Sequence, residues 1–126
     1  MSLYTPISRL GWAAAQSITV VPATVPQLIT GVMNFGVTIR LSASNTGTLA
    51  GSFALQVTDF GTDEKDLQPL PTDWVTITGS SQTWASAPLV YSVANQGNKW
   101  LRVFFINSSS TGTPLVDIAF TGKAWT

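Results

Sequence analysis

Apolar and polar residues alternate along most of the chain from residue 37 onward. Residues 37–44 have apolar odd positions and polar even positions, and residues 52–58 place three large apolar side chains on one face. A period of two is typical of β-strands that bury one face. Because residues 45–48 are turn-forming, we expect these two runs to form a hairpin.

Further runs with the same character indicate more strands. Residues 100–106 are apolar apart from Arg102, so we expect a central strand that is covered on both faces. The other predicted strands lie at 73–78, around 83–85, at 89–94 and at 114–120.

The spacing of these runs predicts an all-β fold. Short runs with mostly short connections favour an antiparallel two-sheet β-sandwich of about seven or eight strands, with a jelly-roll or immunoglobulin-like layout. We assign this domain to residues 37–126. Helix is barely indicated, since only residues 10–16 could form a turn or two and Gly11 weakens them.

Residues 1–36 follow a different pattern. Pro22 and Pro26 keep the apolar stretch at 20–30 extended and remove backbone donors. We therefore expect residues 1–36 to form an extended N-terminal arm or edge segment, with an ordinary first strand packed on its own sheet as the alternative. The candidate partner-binding residues of this arm are its apolar side chains: Val20, Val21, Val25, Leu28 and Ile29.

Composition adds an expectation of assembly. The 126 residues suffice for one domain. Charged residues make up 10% of the chain, where soluble domains average about 25%. Six basic residues balance six acidic ones, and zero net charge favours association. We therefore expect neighbouring subunits to cover part of the surface, or else an extracellular module with a neutral polar face.

The missing residue types exclude many chemistries. The chain has no His and no Cys, which removes Ser-His-Asp and Cys-His nucleophiles, thiolate or imidazole zinc sites and disulfides. Four of the six carboxylates lie in residues 59–72, which read as a long exposed loop, so we expect no enzyme. Residues 59–66 could chelate calcium, but their spacing departs from the EF-hand and includes Lys65. We expect a solvated turn there and no cofactor.

Two classes of partner have little support. The six basic residues are scattered and matched by acids, so we expect no nucleic-acid binding. No apolar run approaches the roughly 20 residues that span a bilayer, so we expect no membrane insertion. Residues 1–6 lack the basic start of a secretory signal.

We expect Arg102 to pair with Asp117 or to cover an aromatic ring with its stem.

Five tryptophans in so short a chain require an explanation. Trp74 and Trp100 begin predicted strands and are interpreted as structural. Trp12, Trp84 and Trp125 lie in or near irregular segments and are the candidate interface or ligand aromatics. Exposed tryptophans beside Asn and Gln can also stack on sugars, so a carbohydrate- or receptor-binding module remains an alternative.

The chain resembles the small β-sandwich proteins of tailed-bacteriophage particles, especially capsid decoration or cement proteins and head-fibre or tail-tip modules. Besides the arm, the segments that carry the resemblance are 45–56, 73–77, 100–105 and 112–123. The resemblance implies a non-enzymatic structural protein of the virion that forms homo-oligomers, often trimers, and binds a major capsid protein. A major coat protein is a third reading. No family site residues are carried over, because no motif matches position by position.

Overall fold

The computed structural model describes residues 8–24, 26–29, 34–60, 71–85, 88–94 and 98–123. These residues form short and long β-strands with one 3-10 turn at Pro71–Asp73. The strands are β1 (Ser8–Gln16), β2 (Gln27–Leu28), β3 (Asn34–Leu41), β4 (Gly51–Thr58), β5 (Val75–Thr76), β6 (Gln82–Thr83), β7 (Leu89–Ala94), β8 (Trp100–Asn107) and β9 (Val116–Lys123).

The strands form two antiparallel sheets that pack against each other. The first sheet has the order β1-β9-β3-β7, and the second has the order β2-β8-β4-β5, with β6 also pairing with β4. Alternate residues of the long strands point into a shared core, where the rings of Phe53 and Phe105 lie 4.8 Å apart between centroids. This confirms the predicted all-β, antiparallel two-sheet sandwich.

The predicted hairpin between the third and fourth strands is wrong. β3 pairs with β7 and β9, whereas β4 pairs with β8 in the other sheet, so the connection crosses from one sheet to the other. Asn45 in this connection accepts a hydrogen bond from the backbone N–H of Leu115 at 2.9 Å. A turn-rich connection between two strands suits either geometry, and the distant loop around residue 115 decides between them.

The helical turn considered for residues 10–16 is also wrong, because this segment belongs to β1. β1 pairs with β9, with shifts in register between Arg9 and Gly11 and between Ala13 and Gln16. A stretch rich in alanine has no clear period of its own. Its conformation therefore follows the edge of β9 that it pairs with.

Residues 8–29 of the predicted arm or edge segment supply one edge of each sheet. β1 lies at the edge of the first sheet and β2 at the edge of the second. Between these strands the chain continues along β8: the Thr24 N–H donates to the Val103 carbonyl at 3.0 Å, and the Phe105 N–H donates to the Pro22 carbonyl at 2.8 Å. The described part of this segment therefore lies along the sandwich.

β8 is central in its sheet and fully buried on one face. It lies between β2 and β4, and its inward residues Leu101, Val103 and Phe105 are buried. On the other face the outward side chains of residues 100–104 are half-buried, whereas Ile106 is 55% exposed. The predicted central position is therefore confirmed, but the cover on the outer face is only partial, because it ends at Ile106.

Candidate interaction surfaces

The structure separates the predicted arm residues into two groups. Val20, Val21 and Leu28 are 71%, 54% and 51% exposed, whereas Ile29 is 1% exposed and belongs to the core. Val25 lies outside the described residues. The exposed three lie toward opposite ends of the edge along β8: Leu28 is opposite Trp100, and Val20 and Val21 precede the residues that pair with the other end. Ile29 is therefore a core residue rather than a surface anchor.

An aromatic surface covers the outer side of the second sheet. We call it the aromatic face and define it by Trp74, Trp100, Arg102 and Phe104 together with Gln56. Trp100, Arg102 and Phe104 alternate along β8 with the three buried residues of that strand. In β4, Ala54 is paired with Phe104 of β8, and Thr58 is paired with Trp100. Both small residues point to the outer side of the sheet, yet each is only 3% exposed. The small residues of β4 thus leave room for the large side chains of β8.

Arg102 is held at the centre of this face. Its guanidinium carbon lies 4.2 Å from the centroid of the Trp74 ring and 5.6 Å from that of Phe104. Its Nε donates to Oε1 of Gln56 at 2.9 Å, and Nε2 of Gln56 donates to the Thr76 hydroxyl at 3.3 Å. Arg102 does cover an aromatic ring, but with its guanidinium and not with its stem as expected. The alternative in which it pairs with Asp117 is wrong, because Asp117 pairs with Arg40.

Among the described residues, the surroundings of Arg102 are aromatic rings and the Gln56 amide, with no opposite charge in contact with it. Burial of the guanidinium lowers the pKa of Arg102 from its ordinary value, because desolvation disfavours the charged form. Among the outward-pointing residues of β4, β5 and β8 it is the one charged side chain. Within the described part of the chain Arg102 forms no ion pair. The aromatic face therefore presents a positive centre with an apolar surround.

Asp117 is occupied by a structural contact on the other sheet. It accepts a hydrogen bond from the Ala15 backbone N–H at 2.8 Å and one from Arg40 Nε at 3.2 Å. The bond from Ala15 contributes most to holding the pKa of Asp117 below its ordinary value; burial opposes it and Arg40 adds to it. These contacts anchor β1 and β3 to β9.

The three candidate tryptophans are not brought together in the described structure. Trp84 is half-buried and places its ring edge against Phe53, with centroids 6.0 Å apart. Trp12 lies in β1, where its backbone pairs with that of Ala119 in β9. Trp125 lies outside the described residues. The tryptophans of the aromatic face are instead those interpreted as structural. The signal for them is the spacing in residues 100–106, where the even positions carry two aromatics and an arginine.

A cleft lies at the end of the first sheet where β3, β7 and β9 meet. Its volume is about 410 Å³, and its lining includes Asn34, Gly36, Ser92 and Thr121. None of the described residues that line it is titratable. This part of the lining therefore offers shape and hydroxyl or amide groups.

Metal binding and membrane crossing have no support in the described ranges. No group of three or more acidic side chains there is placed to hold a metal ion. Asp59 accepts hydrogen bonds from the Lys99 N–H at 3.1 Å and from Asn98 at 3.3 Å, and the other acids of residues 59–66 lie outside these ranges. In the same ranges no helix has the length and apolarity needed to cross a bilayer.

Comparison with known proteins gives a likeness to a solved structure. No family model matches this chain, and no curated protein matches it. Among solved structures it is similar to the crystal structure of SPBc2 prophage-derived protein YomS, with a TM-score of 0.52 and 14% sequence identity. The similarity covers 100% of this chain and 97% of that chain. At this identity it shows a shared fold over the whole domain.

Proposed function

We propose that this chain is a non-enzymatic structural protein of a bacteriophage particle. It decorates or cements the capsid through contacts with copies of itself and with a major capsid protein. The observation that carries the proposal is the exposure of Val20, Val21 and Leu28 along one edge of the sandwich. The prophage origin of the similar YomS structure and the low charge of the chain support the same assignment.

The exposed apolar side chains give a physical reason for assembly. Covering them with a neighbouring subunit removes apolar surface from water, which contributes about 25 cal/mol per Å² before the costs of association. The backbone along this edge can also accept an added strand, which would set the register of a contact. Particle binding through this edge needs no catalytic group.

Carbohydrate binding is less favoured by the arrangement of the tryptophans. Trp84 packs against Phe53, and the Arg102 guanidinium lies over the Trp74 ring. Stacking on a sugar needs an open ring face, and one face of the Trp74 ring is already covered by the guanidinium of this chain. The proposed function therefore takes protein surfaces as the main partners.

The test compares the edge with a control surface of similar exposure. The V20S/V21S variant should weaken self-association and co-sedimentation with virions by about tenfold or more, because two apolar anchors are lost. The matched control is L41S/V90S, which replaces side chains that are 37% and 63% exposed elsewhere on the sandwich. Light scattering measures the molar mass of the oligomer. Co-sedimentation with virions of the bacteriophage whose genome encodes the chain measures capsid binding.

Either of two results would contradict the proposal. The wild-type chain could be a monomer that does not sediment with virions. The two double variants could also lose binding equally, which would show that the edge has no special role.

A further inference from the structure

Arg102 is a preorganised cation with unused hydrogen-bond donors. Its guanidinium carbon lies 4.2 Å from the centroid of the Trp74 ring and 5.6 Å from that of Phe104, and its Nε is held by Gln56. No residue of the described ranges accepts a hydrogen bond from its two terminal nitrogens. A guanidinium that is already oriented loses little rotational freedom when it binds, which favours a bidentate contact.

The chemistry that complements this group is a carboxylate. Terminal guanidinium nitrogens match the two oxygens of a carboxylate in geometry, and the charge-assisted pair is stronger than a neutral hydrogen bond. Because Arg102 is the one charged side chain pointing outward from β4, β5 and β8, a negatively charged group meets no opposing acid on these strands.

The surroundings of Arg102 fit a protein better than a sugar. Leu28 and Ile106, at the margins of the aromatic face, are 51% and 55% exposed. The centres of protein interfaces are enriched in tryptophan and arginine and depleted of other charged residues. The Trp74 ring that a sugar would use carries the guanidinium on one face.

A second copy of the chain does not fit this face symmetrically. A two-fold contact places the same patch of one subunit against itself in its partner. Across the aromatic face that arrangement would bring two Arg102 guanidinium groups together without a counter-ion. The surface that binds the aromatic face is therefore not a second aromatic face.

From these features we propose that the aromatic face docks a partner protein through an acidic side chain, flanked by apolar residues, that pairs with Arg102. The inference rests on the proposed function, because a capsid protein is the partner that function requires. It adds a second contact surface to the edge at Val20, Val21 and Leu28, and it identifies the partner group as a carboxylate.

A model peptide tests the chemistry directly. The probe is an N-acetylated, C-amidated peptide of sequence Ser-Leu-Glu-Leu-Ser, and its control has Gln in place of Glu. In NMR titrations the Glu peptide should shift the Arg102 Nε–H and Trp74 indole signals and bind about tenfold more tightly than the Gln peptide. R102Q should abolish the difference between the peptides. R40Q, which makes the same change of charge on the first sheet, should leave it intact.

Other results overturn the proposal. If the two peptides bind equally tightly, a carboxylate is not the group that the face recognises. If R102Q and R40Q have equal effects, Arg102 is not the binding site. A trimer of galacturonic acid that binds more tightly than the Glu peptide, with R102Q abolishing that binding, assigns the face to an acidic sugar. R102Q must remain folded for these comparisons, with a melting temperature within about 5 °C of R40Q. If it does not, R102K is used, which keeps the charge but loses the bidentate geometry and should also weaken the Glu peptide.

Incorporation into virions separates this inference from the proposed function. Reduced incorporation of R102Q relative to R40Q supports both. Equal incorporation of the two variants, with no discrimination between the peptides, overturns the aromatic face and leaves the virion role standing. Discrimination between the peptides by a chain that never enters virions supports the face and overturns the virion role.

Discussion

Ala15 has a backbone conformation that alanine rarely adopts. Its φ is 49°, and it is the one non-glycine residue of the described ranges with a positive φ. It lies where the pairing of β1 with β9 shifts register, and its N–H donates to Asp117. The left-handed region costs an L-residue about 1–2 kcal/mol, so this hydrogen bond holds a locally unfavourable backbone in place.

Replacing Ala15 with glycine should stabilise the protein. Glycine removes the steric cost at this φ and retains the backbone N–H, but it loses more conformational entropy on folding. The net increase expected in the free energy of unfolding is about 0.5–1 kcal/mol. Urea denaturation at neutral pH measures it. A14G, one residue earlier in the same strand, should instead destabilise by about 0.5–1 kcal/mol. A loss of stability in both variants would show that Ala15 is unstrained.

At the scale of the elements, the connections decide how the strands are assigned to the sheets. Asn45 illustrates this between β3 and β4. Its Oδ1 accepts from the N–H groups of Gly47 at 3.3 Å and Leu115 at 2.9 Å, and its Nδ2 donates to the Gly47 carbonyl at 3.0 Å. One amide side chain thus shapes its own loop and ties it to the loop before β9.

Truncating Asn45 should loosen this crossing between the sheets. We expect N45A to lower the free energy of unfolding by about 1–3 kcal/mol, because it leaves part-buried backbone groups without their partner. The control is S44A, at the neighbouring exposed position, where the expected change is within about 0.5 kcal/mol. Chemical denaturation of both variants measures the difference, and equal values would argue against a special role for Asn45.

At the scale of the whole molecule, Tyr91 joins the two sheets by a hydrogen bond. Its hydroxyl group, on β7 of the first sheet, donates to the Phe53 carbonyl on β4 of the second at 3.0 Å. Burial raises the pKa of Tyr91 to about 12. The neutral form is therefore the one that the folded state favours.

Removing this hydroxyl group should weaken the packing of the sheets and change the response to alkali. Y91F should unfold with about 0.5–1.5 kcal/mol less free energy at neutral pH. Because the folded pKa of Tyr91 lies above its unfolded value of about 10, its contribution is present below that pH and is lost as the pH rises toward about 12. Denaturation midpoints across this window should fall more steeply for the wild type, and parallel curves would contradict the assignment.

The outer faces of the two sheets also differ. One carries the aromatic face around Arg102, and the other carries the Arg40–Asp117 pair. A sandwich with one apolar outer face has a preferred side for contact with other proteins. That difference is the basis of the proposed docking through Arg102, whereas the proposed virion role rests on the exposed edge at Val20, Val21 and Leu28.

Part of the candidate site could be predicted from residues 100–106. Their apolar run predicted a strand, and the period of two of any strand places Trp100, Arg102 and Phe104 on one side of it. The run predicted cover on both faces, and it could not show that this side would remain partly exposed. The arm residues show the same limit: Leu28 and Ile29 are adjacent and equally apolar, yet one is 51% and the other 1% exposed. Exposure depends on which elements pack against a strand, and that is a property of distant parts of the chain.

The sequence by itself determined that the chain is an all-β sandwich and that alternate residues such as Phe53, Leu55 and Val57 of β4 face the core, because a period of two is a local property that a strand carries in its own residues. Only the tertiary structure decided that β3 and β4 belong to different sheets, that residues 10–16 form a strand, and that Arg102 stacks on Trp74 instead of pairing with Asp117. Strand partners and ion pairs join residues far apart in the chain, and several choices satisfy the same local pattern until the whole core is assembled.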